Sequence, residues 1–461
     1  MIDTGSTAWM IAATAMVLLM TPGLALFYGG MTRAKSVLNM MMMSFASIIT
    51  VTILWVLFGY SLAFDASGND LINKVVGGLD SIGLSGLFGG DGAVLAGLVA
   101  DNPQDPTTFN DNIPALVFSA FQLTFAIITV ALISGAIADR AKFGAWVVFS
   151  IVWATVVYFP VAHWVWGGGW LYGLGIEDFA GGTVVHINAG AAGLALAIVL
   201  GKRAGWRKDP MRPHNLPLVL LGAGLLWFGW FGFNAGSELA VDQTTGLAFM
   251  NTQVATAAAA GAWILVEKLR DGNSTTLGVA SGAVAGLVAI TPAAGFIDPW
   301  VAVILGLLAG AVCAYAVGLK YKLGYDDSLD VVGVHLVGGV IGAVSLGFIS
   351  AYPFLVGDVA DGLGMSREQG LGLFYGGGLS QLGLQVLGPV AVGLYSFIAS
   401  WIIGKIIDKT MGFRIAEEKE VTGIDITTHA ETGYDLGTIH ASGVASVNGP
   451  VTVTTEKKVD A

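Results

Sequence analysis

Two histidines sit inside long apolar runs, and each opens the same short pattern. His186 begins His-x3-Gly-x2-Gly with Gly190 and Gly193, and His335 begins it again with Gly339 and Gly342. An aspartate precedes each by eight residues, Asp178 and Asp327. A charged group at the centre of a membrane helix costs roughly 2.5–3.5 kcal/mol on insertion scales, so an ionisable side chain there usually faces a cavity or a pathway. Neutral imidazole can donate at one nitrogen and accept at the other. A pair of them can hold a small polar molecule or relay a proton where a fixed charge is excluded. Glycines beside them supply close backbone packing. These residues predict a pore lining, although a histidine that merely bonds a neighbouring helix has the same local sequence.

The elements that must carry these groups are membrane helices. The 461-residue chain is 55% apolar and 11% charged, against about 25% charged in a soluble domain. Its 66 glycines are scattered through apolar runs without a period of three, which fits small-residue helix interfaces. Cys313 is the single cysteine, so no intrachain disulfide is possible. The net charge of −11 includes no basic arm suited to nucleic acid. No GxxxxGK[ST] loop, CxxC pair or HExxH motif occurs. Nucleotide-driven transport, a metal site and a cofactor are therefore not expected.

Apolar runs long enough to span about 30 Å fall at roughly 8–29, 38–64, 113–137, 143–163, 179–201, 216–236, 245–267, 275–293, 299–319, 329–350 and 371–404. The expected fold is an all-α integral membrane protein of eleven helices. With the N-terminus outside and the C-terminus cytoplasmic, all but Lys74 and Arg367 of the 21 basic residues face the cytoplasm, as the positive-inside rule requires. Residues 75–100 resemble a twelfth span, but they hold Asp80 and Asp91, and counting them would place the basic clusters outside. They are expected to form an external loop.

Ten of the eleven spans divide into two fives, about 8–201 and 216–350, with a histidine in the last span of each. Because five is odd, the second half enters from the other side, which predicts inverted repeats about a central pore. Residues 1–404 form the expected transmembrane domain, with 371–404 as an added eleventh helix. The charged segment 405–461 is expected to be a cytoplasmic tail. Its part to about Asp435 contains Phe413, Ile415, Ile424 and Ile426 and suits docking, whereas the end from about 442 is expected to be disordered.

Asp178 through Leu194, ending in Gly201-Lys202-Arg203, closely resembles the signature of the ammonium transporter family (Amt/Mep/Rh). The resemblance continues through Trp227–Ser237, Ala289–Gly295 and Asp326–His335, and is closest to bacterial Amt proteins. It extends from the first span to about Asp435. It implies a homotrimer in the cell inner (cytoplasmic) membrane, each subunit having its own channel-like pore, with ammonium or ammonia as substrate and methylammonium as a further candidate. Phe121, Trp166 and Ser237 are implied to form an external cation-recruitment site. Phe125 and Phe233 are the implied gate beneath it, with His186 and His335 lining the pore below. Without the resemblance, Trp166 could equally be an interfacial aromatic, and Phe121 with Phe125 simply core.

Asp178 is expected to anchor backbone donors at its helix start rather than to bind the cation directly, with Asp327 as its cytoplasmic counterpart. Thr291, before Pro292, and Tyr158 are expected in supporting roles. The resemblance also implies a trimeric PII-type regulatory partner at the cytoplasmic tail, and membrane lipid around the helices. An intramembrane hydrolase would require Ser237 to act with a histidine, but no Gly-x-Ser-x-Gly elbow is present, so no enzyme activity is expected. An ammonium sensor acting through the tail is the remaining alternative. Such sensors carry an appended signalling domain, for which the 57 residues after Gly404 are too few.

Overall fold

The computed structural model describes residues 2–88, 113–352 and 370–434. Among them, ten helices are long and apolar enough to cross a membrane, and one shorter apolar helix accompanies them. In chain order they are α1 Thr4–Met31, α2 Ala34–Phe64, α3 Ala115–Ile137, α4 Phe143–Val165, α5 Gly182–Leu200, α6 Leu216–Glu238, α7 Gln243–Asp271, α8 Thr276–Ile290, α9 Pro299–Leu323, α10 Val332–Ile349 and α11 Ser380–Thr410. The protein is a multi-pass, all-helical membrane protein.

Helix starts follow local chemistry. The Asp3 carboxylate caps α1, the Asn215 amide oxygen accepts from Leu218 N at the start of α6, and Asp242 forms a capping box with Thr245 on α7. Thr275 caps α8, which stops at Ile290, immediately before Thr291-Pro292. At 15 residues and 1.5 Å per residue, α8 is shorter than the hydrocarbon core. Its broken end is central to the site described below.

Glycine sets the helix spacing, most clearly where α1 and α6 meet. A Cβ on Gly222 would lie 2.3 Å from Phe27 N, and one on Gly229 would lie 2.2 Å from Met20 Cγ. One on Gly30 would lie 2.7 Å from Asn215 O. The two backbones approach so closely that no side chain fits between them. Helices α7 and α9 repeat the arrangement, Gly306 facing Ala255 and Gly310 facing Ala259.

The final helix differs from the hydropathy pattern at both ends. The final helix begins after residue 377 and continues to Thr410, past Gly404, where apolar character ends. Lys405 and Lys409 are good helix formers, so hydrogen bonding carries the helix beyond the hydrophobic run. The described part of the 75–100 segment contains a short 3-10 turn, Ile82–Leu84, and no spanning helix. Residues 89–112 and the tail end from 435 lie outside the described residues.

The face rich in basic residues is closed by buried ion pairs and by the tail. Arg203 pairs with Asp326 at 2.8 Å, and Arg33 with Asp139 at 3.1 Å. Burial alone would raise the Asp326 carboxyl, but the guanidinium groups of Arg203 and Arg140 hold it below the usual carboxylate range. In the tail, Phe413, Ile415 and Ile424 are buried, whereas Ile426 is exposed. Asp425 accepts from Leu38 N at 2.9 Å and Asn39 N at 2.8 Å, capping the second span from a distance in sequence. Glu420 accepts from Ala204 N at 2.7 Å, and the Tyr434 hydroxyl lies 2.8 Å from His214 Nε2.

The α1–α6 seam predicts a sharp positional contrast. Gly222→Ala should lower the apparent thermal midpoint in detergent, with an overpacking cost of about 1–3 kcal/mol. Gly224→Ala, with no atom within 4 Å of the added carbon, should leave it unchanged or raise it slightly.

Candidate functional site

Each histidine lies in a widened, π-helical turn that follows an aspartate cap. His186 is in Gly182–Ile187 and His335 is in Val332–Leu336. Such turns expose backbone irregularity and are frequent at functional positions. The Asp178 carboxylate accepts from four amides: Gly181 N at 3.2 Å, Gly182 N at 2.6 Å, Thr183 N at 2.9 Å and Val184 N at 3.0 Å. Asp327 accepts from Val331 N at 3.1 Å and Val332 N at 2.8 Å. Burial raises the Asp178 carboxyl to about 6, opposed by its four amide bonds. Burial raises Asp327 to about 6 as well, with Lys320 opposing it.

The glycines of the two matching motifs bring the histidines together. A Cβ on Gly190 would lie 2.6 Å from Leu336 N, the residue after His335, and one on Gly339 would lie 3.2 Å from His186 Cβ. Each histidine's own motif therefore makes room for the other's helix. The two Nδ1 atoms are 3.3 Å apart, the ring centroids are 5.3 Å apart, and the planes differ by 26°. Of two neutral rings meeting at Nδ1, one donates and the other accepts. The donor ring then presents a bare Nε2 lone pair and the acceptor ring an Nε2–H. Among the described residues, His186 Nε2 has no hydrogen-bond partner.

Both histidines line a cavity whose apolar wall includes Met20, Leu24, Ile128, Leu132, Leu226 and Val284, with the rings of Phe27, Trp230 and Phe233. They are the only ionisable groups in that lining. Above the cavity is a continuous column of rings. Phe233 stacks on His186 with centroids 6.1 Å apart, and Phe125 lies 4.2 Å from Phe233 at 33°. Phe121 is 4.8 Å from Phe125, and the Trp166 indole stands edge-on to Phe125 at 6.0 Å. Trp166 Nε1 donates to Asp178 O at 2.9 Å, tying the indole to the helix cap. The Ser237 hydroxyl donates to Phe233 O at 2.8 Å, leaving its oxygen lone pairs available. The rings come from α3, the end of α4, α5 and α6, and contact one another in one column.

Thr291 donates to Leu287 O at 2.7 Å and accepts from Trp230 Nε1 at 2.8 Å. Tyr158 is buried, and its hydroxyl has no hydrogen-bond partner among the described residues. Ser237 makes no hydrogen bond to either histidine, and Phe233, one turn earlier, is the residue that meets His186. Sequence reasoning missed Trp230, which stacks on His186 at 5.4 Å and 22°. Its only signal was its spacing, three residues before Phe233 on an apolar helix. Among the described residues, no three His, Cys, Asp or Glu side chains are grouped to hold a metal ion.

Fold and site define a multi-pass helical membrane protein with an aromatic- and histidine-lined interior. Residues 8–434 match the sequence model of the Ammonium Transporter Family. The chain is 54% identical to an ammonium transporter of Mycobacterium tuberculosis over 456 residues, covering 95% of this chain and 92% of that one. It is 47% identical to an ammonium transporter of Bacillus subtilis, covering 93% of this chain and 98% of the relative. Among solved structures, Candida albicans Mep2 superposes with a TM-score of 0.78 at 34% identity, covering 91% of this chain and 88% of that chain. A sensor Amt protein gives 0.78 at 27% identity, covering 92% and 98%. The protein belongs to the ammonium transporter family.

The cap geometry yields a graded test. Asp178→Ala leaves four buried amides without their acceptor, and should lower thermal stability by about 2 kcal/mol or more. Asp178→Asn retains one oxygen and should cost less. Equal loss in both variants, measured by thermal unfolding in detergent, would show that the amide bonds are not what the carboxylate provides.

Proposed function

We propose that the protein is a channel-like ammonium transporter of the cytoplasmic membrane. The observation that carries this reading is the contact of two imidazoles in an otherwise apolar cavity, beside a column of aromatic rings. In this reading Trp166, Phe121 and the Ser237 hydroxyl recruit the cation at the outer end. Ring faces attract a partly desolvated cation by ~0.5–2 kcal/mol, and the hydroxyl oxygen replaces one water. Phe125 and Phe233 form a hydrophobic gate that turns back hydrated ions.

Below the gate, a group that can both give and receive a proton distinguishes ammonium from potassium. The histidine pair has one free acceptor and one free donor at its two ends, so it can pass a proton or hold ammonia without carrying net charge. Potassium has no proton to give and finds only apolar walls. Asp178 acts as the anchor of the His186 helix and as a source of negative potential over the mouth. Asp327 has the corresponding role at the His335 helix.

We further propose two inverted five-helix repeats, with α5 and α10 entering from opposite faces. The cap of α5 is tied to Trp166, whereas the cap of α10 adjoins the buried arginine network through Asp326. A trimeric assembly with one pore per subunit follows the family pattern. So does a PII-type regulator docking at the cytoplasmic face, where the tail meets α2 and the loop before α6.

Ammonium-evoked current on a solid-supported membrane tests the reading. His186→Ala and His335→Ala should each reduce the current or admit potassium. Wild-type current and selectivity in both variants would overturn the pore assignment. Trp166→Leu should raise the half-saturation concentration about threefold or more, as expected from a lost cation–π contact. Its effect on the leakage of other ions should be smaller.

A further inference from the structure

We infer that Thr291 and Trp230 form a positioning unit that fixes the ring plane of His186 and keeps its outer nitrogen free. The inference rests on the pore reading above and adds the device that holds its histidine in register.

The Thr291 hydroxyl both donates and accepts. Its hydrogen goes to Leu287 O at 2.7 Å, and its oxygen accepts the Trp230 indole N–H at 2.8 Å. Trp230 is almost entirely buried, so this N–H has no water to turn to. The indole plane lies within 22° of the imidazole plane of His186, with centroids 5.4 Å apart. Phe233 packs against both rings, 5.4 Å from Trp230 and 6.1 Å from His186. The imidazole is thus stacked against two rings, and its Nδ1 is directed at His335.

The same helix break braces His186 a second time, through the backbone. Phe179 N donates to Pro292 O at 3.1 Å, and a Cβ on Gly182 would lie 2.5 Å from Pro292 Cγ. The start of the His186 helix therefore rests on the residue that follows Thr291. Position along the helix and orientation of the ring are both set from the broken end of α8.

Thr291 also removes a competitor. Trp230 and His186 line the same cavity, where His186 Nε2 has no hydrogen-bond partner among the described residues. An indole N–H deprived of Thr291 would be a buried donor seeking an acceptor, beside an imidazole whose Nε2 is unpartnered among the described residues. Capturing that nitrogen would remove one end of the histidine pair from transport. The hydroxyl of Thr291 keeps the indole as a packing surface and prevents it from acting as a ligand.

The test uses the full-length protein in proteoliposomes, reading ammonium-evoked current in water and in deuterium oxide. Thr291→Val has the shape of threonine without the acceptor. It should lower maximal current about tenfold, the effect of one lost buried hydrogen bond acting on the transport barrier. Half-saturation should stay within about twofold because the outer recruitment site is untouched, and the solvent isotope effect should change. Thr291→Ser keeps the hydroxyl and should restore current, half-saturation and isotope effect. If the valine variant does not assemble, Thr291→Ala makes the same comparison with serine.

In a Trp230→Phe background no indole remains to hold, and Thr291→Val should add no further loss. Wild-type maximal current in Thr291→Val, equal currents in the valine and serine variants, or a full additional loss in the Trp230→Phe background would each overturn the inference. The underlying pore reading fails separately. It falls if His186→Ala and His335→Ala retain wild-type current and potassium rejection, whatever Thr291 does.

Discussion

The contact on which the interior depends is the crossing of α5 and α10, where glycine takes the place that a side chain would fill. Gly190 lies against the backbone of Leu336, and Gly339 lies against His186. Only because both positions lack a Cβ can two histidines 149 residues apart bring their Nδ1 atoms within 3.3 Å. A methyl group on Gly190 would meet the Leu336 backbone and push the helices apart, and the imidazole contact is already near the long limit of a hydrogen bond. Glycine within a soluble helix costs about 1 kcal/mol relative to alanine. Here that cost accompanies a geometry that no larger residue permits, and small residues are how membrane helices gain packing energy without a hydrophobic driving force.

The two ends of the molecule solve opposite electrostatic problems. On the basic face, Arg140, Arg203, Asp139 and Asp326 are buried together, and Glu420 from the tail joins Arg33 and Arg414. Removing one member of such a group strands its partner, so the network holds loops and tail in one arrangement more than it adds stability. The histidine-lined cavity has no such compensation. Its only ionisable lining groups are imidazoles, which can remain neutral in a place too apolar for a fixed charge. Charge is concentrated where partners exist, and in the proposed pore it is absent where a substrate would pass.

The helical membrane class was legible in the sequence from its long apolar runs, ten of which form helices long enough to span among the described residues, while the run at 275–293 forms the shorter α8. A boundary was legible at Pro299, where the apolar run and the helix begin together. None was legible at Gly404, where hydropathy ends six residues before the hydrogen-bonded helix does. The two histidine motifs stood out by repetition, yet no spacing rule could bring residues 186 and 335 together in space. Their distance follows from tertiary packing of glycines whose partners lie on another helix. The widened turns around each histidine left no mark either, since Gly-Thr-Val-Val-His-Ile is ordinary helical sequence. Trp230 was missed for a related reason. An aromatic residue on an apolar helix gives no sign of whether its N–H is held by a hydroxyl 61 residues later.

The proposed outer site illustrates how a charge can act without being a ligand. A carboxylate offers about four lone-pair positions, and Asp178 accepts from four backbone amides. No position remains for a cation without displacing an amide that has nowhere else to go. A unit charge several ångströms away, at an effective dielectric near 20, still contributes on the order of 2 kcal/mol to attracting a cation. That is comparable with the cation–π attraction of the rings, but it does not bind at contact distance. Direct coordination would deepen the well and slow departure, whereas a remote field raises occupancy and leaves the exit barrier low. In the proposed pore, the same four amide bonds that start the His186 helix are therefore what keeps the recruitment site weak enough to conduct.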